Sequence, residues 1–187
     1  ALAALGAHVT FVTGPATARR PEGVEIIEVE TARQMQAAVE ANLAPHRHAD
    51  AAIFAAAVAD WRAAEEQAGK IKKDGSGLPP PLALSENPDI LRGVAGRTDH
   101  RPPLVIGFAA ETDDVIAHAT AKRLRKGCDW IVANDVSPAT GIMGGTENAV
   151  TLITEGGAES WPRMGKDAVA RRLAARLAEH LSAEEGA

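Results

Sequence analysis

The run ADAAIFAAAVA (49–59) leads directly into Asp60 and Trp61. A continuous stretch of small apolar residues, rather than an alternating one, is expected of a strand covered on both faces, as in a parallel sheet. Parallel strands cannot be joined by tight hairpins and need crossover connections, usually helical. This one run therefore demands helices elsewhere in the chain, and the sequence supplies them. TARQMQAAVEANLA (31–44) has Thr31 as an N-cap and Met35, Ala38, Val39 and Leu43 spaced for one helical face. DDVIAHATAKRLRKG (113–127) is amphipathic and stops at Gly127, and a long helix is expected from Lys166 to Leu181. ENPDILRGVAGR predicts a short helix with Pro88 in its first turn.

Between these helices lie further strand patterns: HVTFV (8–12), VEIIEV (24–29), PLVIGFAAE (103–111), DWIVANDV (129–136) and NAVTLIT (148–154). Residues 1–5 read as the end of a helix that Gly6 stops. KIKK, the turn DGSG and LPPPLAL (70–84) read as an irregular β flap outside the sheet. The expectation is one α/β domain over residues 1–187, with a Rossmann-like, mostly parallel sheet and helices on both faces. In such sheets ligands bind beyond the carboxyl ends of the strands. AVADW, GFAAET and ANDV should then share one edge.

Bulk properties narrow the function. The net charge of −5 argues against a broad surface for nucleic acid or an anionic membrane, while leaving room for a local basic pocket. No apolar run reaches the ~18 residues of a membrane span. A lone cysteine, Cys128, can form no internal disulfide, which suits a reducing, cytoplasmic setting. The chain has no Tyr, which excludes a Tyr/Lys acid–base pair of the short-chain dehydrogenase kind. It also lacks G-x-G-x-x-G and G-x-x-x-x-G-K-[ST], so neither a dinucleotide turn nor a P-loop is present.

Each candidate residue has a bland and a functional reading. Asp60 either caps the segment after it or opens onto a ligand crevice. Lys70, Lys72 and Lys73 are either a solvated cluster or a polyphosphate site, since Lys70 and Lys72 would share one side of a strand. Lys122, Arg123, Arg125 and Lys126 suit the negative end of a helix dipole without any ligand. Phe108 reads as core, His46 and His48 as loop residues, and Cys128 as a buried small side chain. From the residues alone, the chain is an α/β domain that binds an anionic, nucleotide-like ligand.

AAAVADWR, KIKK, NPDIL, HRPPLVIGFAAET, AKRLRKG and DWIVANDVS follow one another in the order and spacing of bacterial phosphopantothenoylcysteine synthetase. The chain resembles that family over essentially its whole length. The family is the carboxy-terminal half of a bifunctional coenzyme A biosynthesis protein, whose other half is a flavin-dependent decarboxylase that carries the FMN. The resemblance implies a ligase: CTP activates 4′-phosphopantothenate as an acyl-cytidylate, and cysteine displaces CMP to give the amide. It implies Mg²⁺ with the CTP, and a homodimer.

The resemblance also implies residue roles. Lys70 matches the active-site lysine of the K-x-K-K motif, and Lys122 and Lys126 match positions that contact CTP. Asp60, ending A-V-A-D, would hold Mg²⁺ on the triphosphate or bind the pantothenate portion. Ala55, Ala56 and Ala57 would let ligand approach the backbone. Pro88, Asp89, Ile90 and Leu91 match a nucleotide-contacting turn, with Asp89 on the ribose hydroxyls. Phe108 would pack near the base, and Asn134 would serve the pantothenate site. The family also has an earlier segment, with the sheet's first strand and a loop whose asparagine serves the cytidylate step. The chain as given starts after it, so the expectation is a missing first strand and a domain that folds poorly alone or is completed by a partner or a separate segment. The alternative reading is a non-catalytic nucleotide-binding or regulatory module on the same fold. A nicotinamide-dependent reductase is disfavoured by the absent glycine turn.

Overall fold

The computed structural model describes residues 1–65, 81–137, 140, 141 and 145–185. The first residues form one 3-10 turn, Ala3–Leu5, instead of the end of an α-helix, and Gly6 stops it at φ 88°. β1 (Thr10–Thr13) pairs in parallel with β2 (Glu25–Glu28). α1 (Ala32–Asn42) starts on a reciprocal cap. Thr31 Oγ1 accepts from the Gln34 amide at 3.1 Å, and Gln34 Oε1 accepts from the Thr31 amide at 3.0 Å.

β3 (Ala51–Phe54) is followed by a two-stranded hairpin, β4 (Trp61–Ala63) with β5 (Leu84–Glu86). α2 (Ile90–Ala95), β6 (Leu104–Glu111), α3 (Val115–Lys126) and β7 (Trp130–Asp135) come next. The chain ends with β8 (Glu147–Asn148), β9 (Val150–Thr154), β10 (Gly157–Ser160), β11 (Met164–Gly165) and α4 (Lys166–Glu185). The central sheet has the order β10-β9-β7-β6-β3. β3, β6 and β7 are parallel, while β9 and β10 extend them antiparallel. The fold is thus a Rossmann-like mixed α/β sheet, as the sequence predicts. Among the described residues, no helix is long and apolar enough to cross a membrane.

Strand alternation sorts the core into two layers. Val105, Ala109, Ile131, Ala133 and Ile153 face Val94, Ala95 and Ala119 on α2 and α3, with Leu43 at the end of α1. Leu104, Ile106, Trp130, Val132, Val150 and Leu152 face Trp161 and the α4 residues Val169, Leu173 and Leu177. The α4 residues recur every four positions, which gives one apolar stripe. Leu104, Val105 and Ile106 have no exposed surface at all, so β6 is the buried centre of the domain.

Two expectations need correction. The run 49–59 is not a strand covered on both faces: only Ala51–Phe54 pair, and Ala55, Ala56 and Ala57 lie exposed beyond it. β3 is an edge strand of the sheet, and Ile53 is 37% exposed. Alanine offers little apolar area, so its burial contributes too little to hold the run in the sheet. Pro88 also lies outside α2, because Asp89 is the N-cap. The expected flap reaches the described residues only at its ends, and Lys70, Lys72 and Lys73 lie outside them.

Gly107 sits where β6 passes under α2. A Cβ there would stand 2.7 Å from Leu91 Cδ2 and 2.8 Å from Ile131 Cδ1. Both are side-chain tips, so they can yield, but only by disturbing a packed layer. Gly107→Ala should therefore cost about 1–2 kcal/mol in denaturant unfolding. An unchanged midpoint would show that the layer has slack.

Candidate functional site

Two sequence motifs meet at the base of the β4–β5 hairpin. The Asn87 amide donates to the Asp60 carbonyl at 2.8 Å, and its side-chain amide donates to the Ala59 carbonyl at 2.9 Å. The Arg62 guanidinium donates to the Glu86 carbonyl. AVADW and NPDIL are thereby held side by side through bonds to backbone carbonyls, although Ala59 and Asn87 are 28 positions apart. Asp60 does not end a buried strand: it sits six residues past β3 on an exposed bend, because the Ala run does not pair. Its carboxylate has no hydrogen-bond partner among the described residues.

Asp89 follows directly. Its Oδ1 accepts from the Arg92 amide at 3.1 Å, capping α2, and its Oδ2 pairs with Lys126 Nζ at the end of α3. Burial raises the Asp89 carboxyl pKa, but the Lys126 hydrogen bond, the Arg92 amide and the charges of Lys126 and Arg92 outweigh it. The net effect holds the carboxyl below its ordinary value. Lys122 lies one turn before Lys126 on the same face of α3, half-buried and without an ion-pair partner among the described residues. Ile90 is buried, and Leu91 packs over Gly107, so the two apolar residues of the turn anchor it to the sheet.

The structure thus brings Asp89 and Lys126 together, and sets Asp60 and Ala59 against the segment that leads into Asp89. Other sequence candidates lie apart. Phe108 is half-buried and packs on the α4 side of β6, opposite the face that Leu91 covers. Asn134, near the end of β7, accepts from the Asn148 side chain at 2.9 Å, and Asn148 Oδ1 is buried without a partner among the described residues. Burial pushes the Cys128 thiol up, which suits a structural side chain and not a nucleophile. His48 pairs with Asp50 at 3.2 Å. Among the described residues, no group of three or more His, Cys, Asp or Glu could hold a metal ion. Asn87 is the connector that reading the sequence missed, although it stands inside NPDIL. Its partners are the backbone carbonyls of Ala59 and Asp60, which residue spacing does not reveal.

The sequence profile of the DNA/pantothenate metabolism flavoprotein C-terminal domain matches residues 1–181. The chain belongs to that family. It is 41% identical to the coenzyme A biosynthesis bifunctional protein CoaBC of Escherichia coli K12 over 174 residues. That match takes in 92% of the chain and 42% of the E. coli protein, so the chain spans less than half of this relative. The corresponding protein of Mycobacterium bovis is 37% identical over 177 residues, with 90% of the chain and 41% of that protein covered. The solved C-terminal domain of a coenzyme A biosynthesis bifunctional protein CoaBC superposes with a TM-score of 0.73 at 31% identity. That superposition covers 99% of the chain and 79% of the solved one.

In this member of the flavoprotein C-terminal domain family, the Asp89–Lys126 pair carries a pH signature. A carboxyl whose pKa is lowered by folding stabilises the fold above its unfolded pKa, near pH 4, and loses that contribution as pH falls through the folded value. Replacing Lys126 with Gln removes the lysine's charge from beside Asp89 while leaving the Arg92 cap. Proton titration of Asp89 by NMR should then show a higher pKa in Lys126→Gln than in the parent. An identical titration would mean that the pair does not form in solution.

Proposed function

We propose that this chain is the ligase domain of coenzyme A biosynthesis, joining 4′-phosphopantothenate to cysteine at the expense of CTP. The family membership supports the pathway. The Asp89–Lys126 pair beside Lys122 is the observation that carries the nucleotide site. In this reading a carboxylate oxygen of 4′-phosphopantothenate attacks the α-phosphorus of CTP. An O–P bond forms and pyrophosphate leaves with the electron pair of the broken bond. The cysteine amine then attacks the acyl carbon, CMP departs, and the amine loses a proton to leave the amide.

The first step forces a carboxylate against a triphosphate, so fixed cations must offset the charge that gathers in the transition state. Lys122 and Lys126 supply two of them from one helix face, and Lys70 supplies the third at the reacting phosphate. Asp89 accepts from the ribose hydroxyls. An ionised carboxylate has about four acceptor sites, and Arg92 and Lys126 use two of them. Pro88, Ile90 and Leu91 hold that turn in place; Phe108 would meet the base from the other face of β6, and Asn134 would serve the pantothenate end. A Mg²⁺ ion would neutralise phosphate charge, and a single exposed carboxylate such as Asp60 fits it, because Mg²⁺ is usually held by one or two carboxylates plus substrate phosphates. Asp60 serves either that ion or the pantothenate portion. The assembly proposed is a cytoplasmic homodimer, with FMN confined to a fused decarboxylase domain.

Titration calorimetry tests the nucleotide. CTP with Mg²⁺ should bind the intact polypeptide in preference to ATP and NADPH, and no preference would overturn the reading. Lys70 is tested by kinetics. Lys70→Ala should lower kcat by roughly 10²-fold, as for loss of one transition-state contact, while CTP still binds. Parent kinetics in that variant would remove Lys70 from the chemistry.

A further inference from the structure

We propose that Arg101 is a positioning residue for the nucleotide site, acting by clamping the ends of the two helices that carry Asp89 and Lys126. The inference rests on the ligase reading above and deepens it. Arg101 lies in the connection between α2 and β6, and its guanidinium directs donors at four separate pieces of chain. Nε donates to the Ala95 carbonyl at 2.9 Å, and Ala95 is the last residue of α2. Nη1 donates to the carbonyls of Pro102 at 2.9 Å and Pro103 at 3.3 Å, just before β6. Nη2 reaches the carbonyl of Gly127 at 3.4 Å, the residue that closes α3 directly after Lys126. Nη2 also meets both carboxylate oxygens of Asp129, at 3.0 and 2.8 Å.

A guanidinium has five N–H groups in a fixed planar fork. Here the fork meets the end of α2, the end of α3 and the entries of β6 and β7 at once. Asp129 fixes the acceptor side, since its Oδ2 also takes the Val105 amide at 2.6 Å, and the Asp129 amide donates to the Val105 carbonyl at 2.9 Å. The Arg101 side chain is only 24% exposed, so solvent does not replace these bonds readily.

The link to the site is geometric. α2 has six residues, a length of about 9 Å, and a helix that short is not stable by itself. Besides the apolar anchors Ile90 and Leu91, it is held at its two ends: Asp89, paired with Lys126, at one, and Ala95, held by Arg101, at the other. Arg101 also holds the carbonyl next to Lys126. One side chain therefore fixes both partners of the pair that faces the nucleotide, without contacting it. Displacements of about 1 Å in such groups are enough to cost large factors in rate or binding.

The experiment compares Arg101→Lys with the parent in the intact polypeptide. Lysine keeps the charge but offers one point donor group in place of the fork. KM for CTP should rise on the order of tenfold, while the KM values for cysteine and 4′-phosphopantothenate stay at their parent values. A clamp that served stability alone would lower the melting temperature and the active fraction without that split. A folded Arg101→Lys enzyme with parent KM for CTP overturns the proposal, and so does an equal rise in all three KM values. Should Arg101→Lys not fold, Asp129→Asn decides. It weakens the acceptor side but keeps its shape, and the same selective rise supports the clamp, whereas a parent KM for CTP ends it. A parent protein that forms no CMP from CTP would defeat the ligase reading before any variant is compared. Normal parent turnover with unaffected variants defeats only the clamp.

Discussion

β6 hydrogen-bonds along both edges and is covered on both faces, and the remaining elements take their positions from that. Its register fixes Phe54 beside Gly107 on one side and Ile131 beside Gly107 on the other. With Leu104, Val105 and Ile106 fully buried, its odd-numbered side chains must find partners in one helical layer and its even-numbered ones in another. That requirement places α2 and α3 together on one face and α4 alone on the other. At Gly107 the strand has no side chain, so Leu91 closes onto the backbone and brings the start of α2 down to the sheet. The turn that carries Asp89 is in this sense a consequence of how β6 is packed.

Magnitudes separate the two ion pairs of this layer. The Asp89 side chain is 38% exposed, and pairs in that setting contribute about 0–1 kcal/mol to stability. Fold stability is therefore a weak reason for Lys126 to sit there. Holding a carboxylate ionised and oriented beside a second lysine is a stronger one. The Arg101–Asp129 pair differs in kind. Its Nη2 meets both oxygens of the acid, the acid also takes a backbone amide of β6, and the base spans two helix ends. Its value lies in the number of chain segments it joins.

Much of this was legible in the sequence where the signal is local. Thr31 caps α1, Gly127 stops α3, and the apolar runs of β6 and β7 are where their composition puts them. The site was legible in part. Lys122 and Lys126 share a face because four residues make about one turn, but nothing in residue spacing brings Lys126 to Asp89, 37 positions away. The face that Phe108 takes follows from strand parity. Which helix covers that face does not, because it depends on the path of the whole chain. The run 49–59 departs from the expected strand for a different reason: alanine counts as apolar yet has little surface to bury.

The same property gives the exposed alanines a use. Beyond β3, the backbone groups of Ala56 and Ala57 make no hydrogen bond among the described residues, and their side chains are too small to screen them. Such groups are satisfied by water or by a ligand. Larger side chains at these positions would gain nothing from packing, because the loop is exposed, and would stand between the peptide groups and anything that approached. An alanine run there keeps an unpaired, unobstructed backbone just ahead of the Asp60 bend, which Asn87 ties to the Asp89 turn. On the ligase reading, recognition at this edge falls to peptide groups and to a few charged side chains held by contacts behind them. Composition could not reveal that division of labour, because the residues that would meet the ligand through their backbones are the ones with the least side chain.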